Sequence, residues 1–207
     1  MSTATLDPEI VVEETVQAEV WPRPHRWTRE EYYKMAEAGF FEGKRVELIF
    51  GEVIEMSPMG RPHVMAVKFG ARTLEKAFGK GWFVQTQAPL DLGLESDPEP
   101  DIAVIAGDDR DYLDTHPDTA ALVVEVAEST LKADRKVKGS LYAGAGIEDY
   151  WVVNLNKRQL EVYRRPIVDK SAPSGFIYGN MQILNEEDSV SPLAKPKAVI
   201  RVADLLP

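Results

Sequence analysis

The chain has no cysteine among its 207 residues. That absence excludes a disulfide framework, a thiolate metal site and a cysteine nucleophile. It also has no apolar run near the ~20 residues a membrane helix needs. Its first residues, MSTATLDPEIVVEETVQAEVWPRP, lack the basic region and apolar core of a secretory signal. A cytoplasmic protein without a membrane partner is therefore expected. No Gly-rich loop ending in Gly-Lys-Ser/Thr is present, which argues against a P-loop NTPase. The three histidines, His25, His63 and His116, are too scattered for a metalloprotease pattern. Positive charge is also short: net charge is −10, which argues against coating nucleic acid through bulk electrostatics.

What is present is 44% hydrophobic residues, enough for one ordinary core. The charge is uneven. Residues 1–25 carry five acids and one base, so residues 1–24 read as a flexible acidic tail, with docking through Val20 and Trp21 as the alternative. Residues 25–207 read as the folded domain. Thr28 with Glu31 forms a capping-box pattern that opens a helix ending near Gly39. Residues 45–56 alternate as a β-hairpin about Gly51-Glu52. Residues 62–79 form an amphipathic helix with Pro62 at its start. Strands are predicted at 82–86, 88–92, 101–105, 121–127, 150–154, 159–164, 175–178, 181–184 and 198–202, and a third helix at 133–145. The order predicts a mixed α/β (α+β) fold, a central sheet flanked by helices.

Three carboxylates fall where apolar residues are expected. Glu125 lies inside Leu122-Val123-Val124-Glu125-Val126-Ala127, a run that otherwise reads as buried sheet. Asp101 opens the strand Ile102-Ala103-Val104-Ile105. Glu47 stands between Val46 and Leu48. A buried carboxylate needs a base, hydrogen-bond donors or a metal ion. Acids on neighbouring strands can hold Mg²⁺ or Mn²⁺ against a phosphate. Capping of strand ends is the alternative for each. In the following helix Asp134, Lys138 and Tyr142 share one face. Lys138 can reach back toward Glu125 and stabilise phosphate charge, or simply pair with Asp134 on the surface.

These segments resemble a known family. EVAESTLKADRKVKGSLYAGAGIEDYWVVNL, the VELIFGE hairpin, His63 at a helix start, Pro100-Asp101-Ile102 and the closing VADLLP resemble the Uma-type ("Uma two") restriction endonuclease family of the PD-(D/E)XK superfamily. The similarity runs from about Trp27 to Leu206. It implies a restriction-endonuclease-like core and a metal-dependent endonuclease acting on DNA. Glu47, Asp101 and Glu125 match the acidic positions and Lys138 the helical lysine. Asp101, Glu125 and Glu47 become the candidate metal ligands, with Asp134 supporting Lys138. One departure stands out: the superfamily lysine two residues after the acid is replaced by Ala127, so Lys138 must serve.

Candidate substrate contacts are His63, Arg61, Lys68, Arg72 and Tyr142, the last also able to orient Lys138. Residues 61–81 hold five bases and one acid, Glu75, a row that can follow a phosphate backbone or be a solvated helix face. The Tyr150-Trp151 pair reads as core packing. Two other readings stay open: a nuclease fold that binds or regulates without cutting, favoured by Ala127 and the net charge, and a hydrolase of a smaller phosphoester. A homodimer is expected if both strands of a duplex are cut.

Overall fold

The computed structural model describes residues 22–207; of the acidic segment 1–24, residues 1–21 lie outside them. Helix α1 (Arg29–Glu37) opens on the expected capping box. The Thr28 side chain accepts from the Glu31 N–H, and the Glu31 carboxylate accepts from the Thr28 N–H. A hairpin follows, β1 (Val46–Ile49) against β2 (Glu52–Glu55). Its turn uses left-handed Phe50 and Gly51, with φ of 50° and 73°, which suits a two-residue hairpin loop.

Six strands form the main sheet in the order β3 (Trp82–Gln85), β4 (Ile102–Ala106), β5 (Leu122–Ala127), β6 (Asp149–Asn154), β7 (Gln159–Val168), β8 (Phe176–Asn185). All neighbours are antiparallel except β5 and β6. A parallel pair needs a crossover, and here it is helical: α3 (Leu131–Ala133), a π-helical turn (Asp134–Lys138) and α4 (Gly139–Gly144). The long helix α2 (Arg61–Phe78) covers one face of the sheet. The crossover covers the other.

Strand alternation sorts the core by face. Leu122, Val124 and Val126 of β5 pack on the α2 side with Leu74, Phe78 and Trp151. Val123 and Ala127 point to the opposite side, with Tyr142 and Tyr150. Glu125 has the parity of Val123 and Ala127, so it faces the crossover helix. Tyr150 and Trp151 are both fully buried, as expected for core residues.

Five expected elements differ. Residues 88–92 form no strand: Pro89 removes a ladder donor, and the backbone instead links to Pro98 and Pro117. The strands at 175–178 and 181–184 are one, β8, because Gly179 and Asn180 continue the ladder rather than turn it. Residues 198–202 give only the two-residue strand β10 (Ile200–Arg201), paired with β9 (Ser189–Val190), before a 3₁₀ turn begins at Val202. The helix expected at 133–145 is interrupted by the π turn. Among the described residues, no helix is long and apolar enough to cross a membrane.

Candidate active site

Asp101 sits one residue before β4. The last backbone pair between β4 and β5 is Ile102 with Val124, so the next inward N–H of β5, that of Val126, has lost its strand partner. Asp101 Oδ2 accepts it at 2.9 Å. This one bond places the carboxylate beside Glu125. Asp101 Oδ1 receives His63 Nε2 at 2.9 Å and Gln87 Nε2 at 3.2 Å. His63 projects from the first turn of α2, on the buried stripe that also carries Val67, Gly70 and Leu74.

Lys138 enters from the π turn. The Gly139 N–H bonds back five residues to the Asp134 carbonyl, and Tyr150 Oη donates to the same carbonyl at 3.0 Å. Arg135 clamps the turn to β7 through Glu161, at 2.8 and 2.6 Å. Held so, the Lys138 ammonium is buried at 3.0 Å from Glu125 Oε1 and 3.2 Å from Glu47 Oε1. Tyr142 Oη donates to Glu125 Oε1 at 2.7 Å. Glu47 Oε2 accepts the Glu99 N–H at 3.1 Å. Asp134 Oδ2 accepts from Thr130 Oγ1 at 2.6 Å.

A cleft of about 60 Å³ opens here, lined by His63, Asp101, Glu125, Asp134 and Lys138 and by the Ser129-Thr130 loop. Of the expected site residues, the structure gathers Asp101, Glu125, Lys138, Asp134 and His63 around this opening. Glu47 lies behind it, against Lys138. Tyr142 is fully buried and meets Glu125 instead of the cleft. Arg61, Lys68 and Arg72 are exposed on α2 and line no part of it.

With this geometry in hand, the comparisons decide the family. The family model described as Uma2, "Putative restriction endonuclease", matches residues 29–202. The chain belongs to the Uma2 family. A crystal structure of a "putative nuclease belonging to DUF820" from Anabaena variabilis has the same fold as this Uma2 chain, with a TM-score of 0.65. The two are 14% identical, and the alignment covers 86% of this chain and 96% of the other. No curated protein matches.

The Uma2 site carries more buried negative than positive charge: Glu47, Asp101, Glu125 and Asp134 face Lys138 and His63. Burial pushes Glu125 up to about 8; Lys138 opposes this, while Asp101, Asp134 and Glu47 add to it. Burial likewise pushes Asp134 up to about 6. Asp101 is also buried, but His63, the Val126 N–H and Gln87 outweigh that and hold it below the usual range. Its bond to Asp101 raises His63 against the opposing effect of burial. Burial would lower Lys138, yet Glu125, Glu47 and Asp134 together raise it, so it stays an ammonium.

Among the described residues, no three His, Asp or Glu side chains form a ready cation cage. The donor set still fits a hard divalent ion. Such an ion takes one or two carboxylates and completes its shell with water and phosphate. Asp101 and Glu125 supply the two, and the surplus negative charge favours a cation. Both known donors to Glu125 reach Oε1, which leaves Oε2 for the cleft.

Sequence reasoning missed Gln87, Arg45, Glu99 and Thr130. Gln87 adopts φ of 51°, a conformation unusual outside glycine and asparagine, and so aims its amide at Asp101. Arg45 pairs with Glu99 at 3.3 Å on the cleft wall. Nothing in the local pattern of Gln87, Arg45 and Glu99 marks them, and only the return of the 87–99 loop to the β1 hairpin brings them in; Thr130 stands at the start of the crossover, four residues before Asp134.

Proposed function

We propose that this Uma2 chain is a divalent-metal-dependent endonuclease that hydrolyses DNA phosphodiester bonds. The observation that carries the reading is the buried contact of Lys138 with Glu125 and Glu47, beside Asp101. A helix-borne ammonium there takes the place of the strand lysine that Ala127 lacks. An ion held by Asp101 and Glu125, Mg²⁺ or Mn²⁺, supplies Lewis acidity to the scissile phosphate when bound. Lys138 presents a fixed positive charge at the floor of the cleft, toward which phosphate charge develops. Glu47 and Tyr142 position Lys138 and Glu125, and Asp134 braces the turn that carries the lysine.

The narrowness of the cleft favours a polymer over a small phosphoester. Pockets that enclose small ligands are several hundred Å³, whereas this one holds about 60 Å³, room for an ion and a few waters. A nucleotide cannot be engulfed, so the substrate presents its phosphate at the mouth, as a polymer backbone does. The family's description as a restriction endonuclease favours DNA over RNA. A homodimer supplies the second site for a double-strand cut.

The test is plasmid nicking by the purified protein in Mg²⁺ or Mn²⁺. Glu125→Ala and Asp101→Asn are expected to abolish nicking with the circular dichroism spectrum intact, and a chelator to stop the unmodified protein. Undiminished nicking by Glu125→Ala overturns the site. Absence of cleavage by the unmodified protein in either metal supports the reading as a binding module.

A further inference from the structure

A second, larger groove lies away from the cleft, between α2 and the closing segment of the chain. It measures about 730 Å³ and is walled by Phe69, Arg72, Lys76, Val199 and Arg201. Its charge runs against the protein as a whole. The chain has 34 acids and 24 bases, yet Lys68, Arg72, Lys76, Lys195 and Lys197 have no carboxylate within ion-pair distance among the described residues. Arg201 is paired with Asp204 at 2.5 Å, which neutralises the groove's own acid. Glu75, the one acid on α2, does not line it. Lys195 lies 5.7 Å over the Trp82 ring, and Trp82 packs on Phe78 at the end of α2, so Lys195 flanks the same helix end.

The cleft and the groove lie at different ends of α2: His63, in its first turn and facing the sheet, lines the cleft, while Arg72 and Lys76, on the solvent face, line the groove. Arg61, Lys68, Arg72 and Lys76 recur at spacings of seven, four and four, one stripe of an α-helix. The same helix carries His63 at its first turn. From Arg61 to Lys76 the stripe is about 22 Å long at 1.5 Å per residue. That is about six phosphates of one DNA strand at 3.4 Å each.

We infer that the basic groove between α2 and the closing segment is a nucleic-acid anchor, which grips the phosphate backbone about six nucleotides from the bond presented at the cleft. The inference rests on the nuclease reading for the direction of the track. Binding through the groove can be measured without cleavage. Polyanion complementarity favours nucleic acid over an anionic membrane, because the charges form a line beside a walled groove rather than a flat apolar-rimmed patch.

The experiment is fluorescence anisotropy with a labelled 20-base-pair duplex in chelator, across a salt series, for the full chain and for Arg72→Gln/Lys76→Gln/Lys195→Gln. Arg72 and Lys76 are exposed and Lys195 is half-buried over Trp82, and a melting curve confirms the fold. The unmodified protein is expected to show a steep fall of affinity with salt. The triple variant is expected to lose about 2–3 from the slope of log K against log salt, at ~0.9 per phosphate contact. In cleavage assays its KM for the 20-mer is expected to rise. An unchanged salt slope overturns the anchor. Binding of anionic vesicles in place of the duplex, lost in the same variant, also overturns it. If the unmodified protein binds through the groove but never cuts, the anchor stands and the nuclease reading falls.

Discussion

Lys138 Nζ lies 3.2 Å from Glu47 Oε1, joining the crossover helix to a hairpin outside the main sheet. Breaking a buried pair by removing one member leaves an unpaired charge, at a cost of about 3–5 kcal/mol. Lys138→Met is therefore expected to destabilise the protein by about that much at pH 7, measured by urea unfolding. Adding Glu47→Gln should recover part of the loss. Strict additivity of the two changes would show that the pair is not coupled.

Stability of the metal-free protein is expected to fall as pH rises. Glu125 moves from an ordinary 4.5 to about 8 through burial, and Asp134 from 3.8 to about 6. Each binds its proton more tightly folded than unfolded. Its contribution is complete below the unfolded value and lost as pH rises through the folded one. His63, also raised, has the same sign. Urea unfolding at pH 5.5, 6.5, 7.5 and 8.5 reads the slope. Glu125→Gln should flatten it between 6 and 8. Mn²⁺ should flatten it too, with proton release on binding below pH 8, since the ion requires the carboxylate.

The histidine reports on the metal. His63 Nε2 bonds Asp101 Oδ1, and this bond is the main cause of its raised pKa. In Asp101→Asn the His63 titration, followed by NMR of its ring protons, should drop toward 6.5. Saturating Mg²⁺ should lower it in the unmodified protein, because a divalent charge arrives at its partner. A titration indifferent to Mg²⁺ would remove Asp101 from the proposed metal ligands.

One packing contact fixes how closely α2 approaches the sheet. A Cβ on Gly70 would stand 2.6 Å from Ile102 Cδ1 in the core. Gly70→Ala is expected to cost about 1 kcal/mol, overpacking outweighing the gain in helix propensity. Ile102→Val deletes the offending methyl, so the double variant should be more stable than the sum of the two changes. Differential scanning calorimetry of the four proteins decides it.

Much of this was legible in the sequence, for physical reasons. The Thr28 capping box, the α2 stripe and the β5 run are local patterns with a single low-energy solution. Glu125 was visible because a charge inside a buried strand demands a partner, and Asp101 because it abuts an apolar strand. Local pattern failed where long-range contacts decide. Gly179 reads as a turn, but in β8 it faces the left-handed Arg165, with φ of 63°, and gives that distorted backbone room. Tyr142 offered a hydroxyl on the right helix face, and only the sheet behind it shows that the hydroxyl is spent on Glu125. The π turn has no sequence mark, so the route by which Lys138 reaches the acids could be expected but not drawn.

That turn gives the crossover an unusual relation between tidiness and use. Removing Lys136 would let the helix wind regularly, with no loss of apolar content. The same excision would swing the following side chain about 100° around the axis and carry the ammonium out of the acids' reach. In this protein an irregular winding is the condition for a charged cleft floor, and a smoother chain would leave the buried acids without their ammonium.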